Sequence, residues 1–217
     1  EAVLRTEKPG AREGLGRLAL RWAESGSASL TQRARRIRFQ NAAQAANRRA
    51  REQPLDANAY VAESLAWAYA AQVARERLAG ASENPETLAF YSEWAMHKAL
   101  WLQPTNPLIY LEAAKGQLVL ARESPLSRGH QRRAALLLNR AMALDPWTAS
   151  RAFKLAASLP VEDLVAMRTE EPRILYQASR EMQRRGLRQD ALELATRSSA
   201  MPRAPKEVHF LRAELIH

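Results

Sequence analysis

Apolar residues recur at three- and four-residue intervals along most of the chain, which is the spacing of an amphipathic helix. Over 30–52, Phe39, Ala43, Ala46 and Ala50 share one face, with Ala42 beside them, and Arg33, Arg48 and Arg51 lie largely opposite. Punctuation cuts this pattern into pieces. Ser29-Leu-Thr-Gln32 reads as a capping box opening the first of them. Pro54 ends it, and Asp56 caps a helix predicted to run to Ala79 and stop at Gly80. Asn84-Pro85-Glu86 combines a cap, a proline in the first turn and an acid at the positive end of the helix dipole, and starts a helix to Leu102. Asn106-Pro107 repeats the signal for a helix to Arg122. Ser124 to Gly129 reads as a loop, and the next helix ends at Leu144, before Asp145-Pro146. Shorter helices are expected at 147–158, 161–168, 172–185, 188–200 and 205–216, and another over 12–24, weakened by Gly14 and Gly16.

Composition agrees. Among 217 residues there are 42 Ala and 29 Leu, against 18 Val, Ile and Thr together. Ala and Leu lose little entropy in helices, and β-branched residues are scarce, so sandwiches, barrels and parallel-sheet folds are set aside. Small residues on the buried stripes let helices pack closely, as antiparallel pairs joined by short links.

The chain also repeats itself. Ala99-Leu-Trp-Leu-Gln-Pro104 aligns with Ala141-Met-Ala-Leu-Asp-Pro146, and Gly186, Ala191, Ala195 and Pro202 echo the pattern. Tyr60, Ser64 and Trp67 show an aromatic–small–aromatic spacing, and Tyr110 and Ala114 repeat it with Gln117 in the third place. Ala178 and Ser179 continue the series. These residues resemble the tetratricopeptide repeat, in degenerate form. The repeat prolines stand 50, 42 and 56 residues apart, whereas the family period is about 34. The resemblance implies an all-α, right-handed solenoid of stacked antiparallel helix pairs over 29–217, preceded by a partly helical segment at 1–28. It also implies a concave groove lined by the first helix of each pair, whose polar candidates here are Asn58 and Lys115; the neighbouring groove positions Leu108, Leu111 and Phe153 are apolar. Aromatics, including the five tryptophans, are expected mainly as core and inter-repeat plugs. The C-terminal helix, with Glu207, Arg212 and Glu214 among Val208, Leu211 and Leu215, reads as a polar-faced cap.

Charge adds a second possibility. The net charge is +10, split as +7 over 1–53, −3 over 54–125 and +6 over 126–217. A basic protein attracts polyanions, and Arg33, Arg35, Arg36 and Arg38 form a dense run. They spread around the helix instead of forming one stripe, so strong nucleic-acid or anionic-lipid binding is the secondary reading. Another alternative comes from style alone: irregular Arg/Ala-rich repeats resemble the soluble modules of bacterial envelope proteins that polymerise or ligate surface polysaccharide. That resemblance tilts the compartment toward the bacterial periplasm.

Candidate chemistry is sparse. With no cysteine, thiolate catalysis, disulfides and thiolate metal sites are excluded. Glu93 and His97 stand four apart, but two ligands are too few for zinc, and a surface hydrogen bond is expected. Gly10, Gly14 and Gly16 lack the Lys-Ser/Thr of a phosphate loop. Glu162-Asp163 and Glu170-Glu171 are adjacent pairs whose side chains diverge by about 100° on a helix, so neither forms a catalytic dyad. No catalytic, cofactor or metal residues are assigned, no apolar run spans a bilayer, and no small-molecule substrate is expected. The expected function is a non-enzymatic scaffold for a protein or peptide partner.

Overall fold

The computed structural model describes residue 25 and residues 31–76, 84–122, 124–160 and 171–216. Every regular element among them is helical: α1 (Gln32–Glu52), α2 (Ala57–Arg75), α3 (Pro85–Leu102), α4 (Pro107–Ala121), α5 (Ser127–Leu144), a 3-10 turn (Pro146–Thr148), α6 (Ala149–Ala156), α7 (Pro172–Arg184), α8 (Arg188–Ser199) and α9 (Glu207–Ile216). The all-α expectation holds. The helices expected at 12–24 and 161–168, the segment 1–28 apart from Ser25, and the stop at Gly80 lie outside the described residues.

The start signals act as the sequence suggests. The side chains of Asp56, Asn84, Asn106 and Asp145 accept the amide two residues on, at 2.9–3.0 Å, and satisfy a donor that the first helical turn cannot. Three boundaries differ. α2 ends at Arg75, with Glu76 as its C-cap, short of the expected Ala79. The cap of α1 is Thr31, whose Oγ1 accepts from the Ala34 amide at 3.3 Å. The expected loop to Gly129 stops at Leu126, because the Ser124 hydroxyl caps the Leu126 amide and α5 begins at Ser127. Gly129 then sits inside a helix, with nothing near its missing Cβ.

The chain divides into two compact units. Among the described residues, the first holds α1, α2, α3, α4 from Lys115 onward, and α5 as far as His130. Here α1 packs on α2, and α2 packs on α3. Many of the enclosed residues are alanines: Ala43 and Ala46 of α1, Ala66, Ala68, Ala70 and Ala71 of α2, and Ala95 and Ala99 of α3 are fully buried. Ser64 and Ser92 share a hydrogen bond of 3.2 Å across α2 and α3, and a Cβ on Gly116 of α4 would meet Leu65 at 3.7 Å. The turn from α1 to α2 is closed by Arg49, buried against Asp56 at 2.9 Å.

The second unit holds the start of α4 to Ala114 and everything described from Gln131. In it α7 packs on α6 and α8, and α8 packs on α9. Gly186 ends α7 at φ 78° in the left-handed region: its amide reaches the Gln183 carbonyl at 3.0 Å, and the Leu187 amide reaches Met182 at 3.0 Å. That pairing is a Schellman cap, and glycine takes its backbone angle without a Cβ penalty. Ser179 donates to the Ala191 carbonyl at 2.6 Å, so these two repeat positions meet at the contact of α7 with α8.

Candidate functional site

Two surfaces compete for the role of site, one beside α2 and α4 and the other on α3. The first is the groove predicted at Asn58 and Lys115. Asn58 stands at the start of α2, its amide held by the Asp56 cap. Lys115 lies on α4, its ammonium 5.7 Å from the ring of Tyr69. Eleven residues of α2 separate Asn58 from Tyr69, a rise of about 16 Å. Asn58 and the ring that Lys115 approaches therefore stand at different turns of α2.

The second surface is the outer face of α3. At about 100° per residue, Phe90, Trp94, His97 and Trp101 fall within roughly 60° of arc, with Tyr91 and Lys98 at one border. All six are exposed, Phe90 by 62%, Trp94 by 46% and Trp101 by 76%. The opposite arc, Leu88, Ala89, Ser92, Ala95, Met96 and Ala99, is buried. α2 supports the exposed rings from the side: Tyr60 meets Trp94 edge-on at 6.4 Å, and Trp67 meets Tyr91 at 5.6 Å. Lys98 holds its ammonium 5.6 Å from the Trp94 ring. Glu86, the carboxylate at the edge of the face, is engaged by Arg75 at 2.9 Å.

This corrects the reading of the tryptophans as mainly plugs. Trp94 and Trp101 point outward, and so does Trp147, whose exposed ring stacks on the Arg173 guanidinium at 3.3 Å. Trp22 lies outside the described residues. The signal was present in the sequence as aromatics at 90, 94 and 101, spaced by four and seven. The apolar count alone assigned them to a core, whereas Leu88, Ala89, Ser92, Ala95, Met96 and Ala99 make up the buried side of α3.

A buried carboxylate lies where α2 meets α1. Glu63, on α2 between Tyr60 and Trp67, is 3% exposed and accepts from the Asn47 amide at 2.7 Å. Burial raises its pKa above the ordinary 4.5, while Asn47, Trp67 and the Arg51 charge pull the other way. Its other oxygen has no hydrogen-bond partner. A second polar cluster explains why Gln117 interrupts the aromatic repeat. The buried Gln117 sits 2.8 Å from His130 Nδ1 and donates to Glu93 at 3.5 Å, with His130 3.8 Å from the same carboxylate. Among the described residues, no group of three His, Asp or Glu could hold a metal ion.

The arginines serve structure more than the sequence suggested. Within the 33–38 run, Arg35 pairs with Glu76 at 3.0 Å and Arg38 donates to the Ser25 carbonyl at 2.9 Å. Elsewhere arginines close the carbonyl ends of helices. Arg75 reaches the Leu120 carbonyl at 2.8 Å, and Arg188 reaches Leu215 at 2.8 Å. Arg185 gathers the carbonyls of Ala156, Ala157 and Leu159 at 2.8–3.0 Å. A guanidinium with several donors suits a helix end that leaves several acceptors unpaired.

No family model, no curated protein and no solved structure matches the chain. Among the described residues, no helix is long and apolar enough to cross a membrane.

Proposed function

We propose that this protein is a non-enzymatic scaffold built of tetratricopeptide-like helix pairs, and that it docks a protein or peptide partner on the outer face of α3. One observation carries the reading: large aromatic side chains are aligned along an exposed helix face, while the opposite side is buried through Leu88, Met96 and four small residues. Contiguous exposed apolar surface is costly in a soluble chain and marks interaction sites. Tryptophan and tyrosine are also the residues that most often dominate binding energy. The buried repeat positions Ser64, Ala99, Ala114, Ala141 and Ala191 support the helix-pair arrangement.

The test is to pan a displayed random-peptide library on the parent and on the Trp94→Ala/Trp101→Ala variant, with circular dichroism confirming the fold of both. Clones kept by the parent and weakened at least about tenfold on the variant are expected. A library that yields no clone dependent on these two rings overturns the reading.

A further inference from the structure

We propose that the exposed face of α5 docks on an anionic lipid bilayer, with Leu136 entering the apolar layer and arginines on both sides of it holding lipid phosphates. This goes beyond the scaffold reading and concerns a different helix from the α3 face.

Charge is the first argument. α5 runs for 18 residues with four arginines, Arg128, Arg132, Arg133 and Arg140, and no Asp or Glu. It opens the stretch 126–217, whose net charge is +6. The carboxylate that follows the helix, Asp145, is taken up as the cap of the 3-10 turn, where it accepts the Trp147 amide at 3.0 Å. A cluster of about four cations on one helix is what a negatively charged leaflet attracts.

The second argument is the order of side chains across the face. At about 100° per residue, Ala143 falls about 20° from Leu136, Arg132 and Arg140 about 40° to either side, and Arg133 about 60°. All five are exposed, Leu136 by 68%. Ala134, Ala135, Leu138, Ala141 and Met142, about 100° or more away, are buried. The crest of the face is therefore apolar and both shoulders are cationic. A bilayer has the matching order, with phosphates outside and hydrocarbon within. Pressed against it, the crest goes deepest. The long arginine stems let the guanidiniums turn back to the phosphate level, where they pair bidentately.

A polynucleotide reverses that order. Its phosphates are outermost, so the crest carrying Leu136 meets them first and has nothing apolar to enter. The α5 face also carries no aromatic ring on which a base could stack. An acidic polymer satisfies the shoulders and leaves Leu136 in water.

The experiment floats the full chain with vesicles of phosphatidylcholine containing about one third phosphatidylserine, and with vesicles of phosphatidylcholine alone. The parent is compared with Arg132→Gln/Arg140→Gln and with Leu136→Gln, substitutions at exposed positions, with circular dichroism confirming the fold of each. The parent should bind the anionic vesicles at least about tenfold more tightly than the neutral ones. The double variant should bind them at least about tenfold more weakly, near fivefold for each lost arginine. Leu136→Gln keeps every charge and should still lose about fivefold or more. No binding to anionic vesicles at about 1 mM lipid overturns the proposal. Equal binding to both vesicle types overturns it, and so does binding that is indifferent to either variant. The same proteins are titrated with an oligonucleotide, single-stranded and duplex, and with polyglutamate. If any of these binds the parent as tightly as the anionic vesicles do, the face recognises anions in general and the proposal falls.

Discussion

Helices α2 and α3 are neighbours of similar length and similar apolar content, yet they are built inside out relative to each other. Thirteen of the nineteen residues of α2 are buried, most of them alanine, because α1 and α3 pack against it and Gly116 of α4 comes close to its Leu65. Six of the eighteen residues of α3 are buried, and its largest apolar side chains are on the exposed arc. In an ordinary amphipathic helix the bulkiest apolar groups face the core, where their burial is worth most. In α3 the aromatic rings face away, and Ser92 meets Ser64 of α2 across the contact at 3.2 Å. The packed side of this helix carries Leu88 and Met96 beside Ala89, Ser92, Ala95 and Ala99, and the aromatic rings lie outside it. The contrast separates a helix whose apolar residues are mostly enclosed from one whose largest rings stay outside the packed side.

The sharpest way to break the contrast is to remove bulk from each helix. Leu65 of α2 is 3% exposed, so Leu65→Ala should leave a cavity and cost about 2–5 kcal/mol in urea unfolding. A loss near zero would mean that α2 is not the packed centre of its unit. Adding bulk probes the same helix more gently. Ala66 is fully enclosed, and Ala66→Leu should cost about 1–3 kcal/mol through overpacking. A neutral result would show that the contacts of α2 are loose enough to yield.

The buried carboxylate of α2 gives a pH-dependent version. Burial raises the Glu63 pKa above its ordinary 4.5. The folded chain then binds this proton more tightly than the unfolded chain does. Stability from this group is greatest below about pH 4.5 and is lost as pH rises through the raised value. Glu63→Gln keeps the oxygen that accepts from Asn47 and removes the charge. The variant should gain on the parent between about pH 4 and pH 7, by about 1.4 kcal/mol for each unit of upward shift. An unchanged difference between those two pH values would show that Glu63 is ionised without penalty.

The helices were legible in the sequence because their punctuation is local: a cap and a proline such as Asn84-Pro85 or Asn106-Pro107 need no distant partner to act. The α5 boundary was missed for the same kind of reason, since Gly129 looks like a break and only the cap from Ser124 shows that the turn ends earlier. What lies across space was not legible. Nothing in sequence tells Arg185, which collects three carbonyls, from a solvent-facing arginine, because its partners are 26 to 29 residues away. The α3 face was legible as a spacing and misread as a core. The groove residues Asn58 and Lys115 came from the repeat pattern, and that Lys115 reaches the Tyr69 ring of α2 depends on a contact 46 residues apart in sequence.

The smallest expected effect on stability is the one that most sharpens the comparison. Trp101 is 76% exposed and packs on nothing in the buried arc of α3. Trp101→Ala removes the largest side-chain type available, yet it takes little area out of a packed environment. The unfolding free energy should shift by no more than about 0.5 kcal/mol, the range of ordinary surface substitutions. Alanine's better helix propensity offsets part of any lost contact. The same substitution in a packed setting would cost about 3–5 kcal/mol. A loss of that size in urea unfolding would mean that the ring is enclosed in solution, by its own chain or by a second copy. Dilution separates those two, because a dimer's stability depends on concentration and an intramolecular contact does not. A loss near zero, with peptide binding weakened at the same time, would place the value of Trp101 in recognition and leave none of it in the fold.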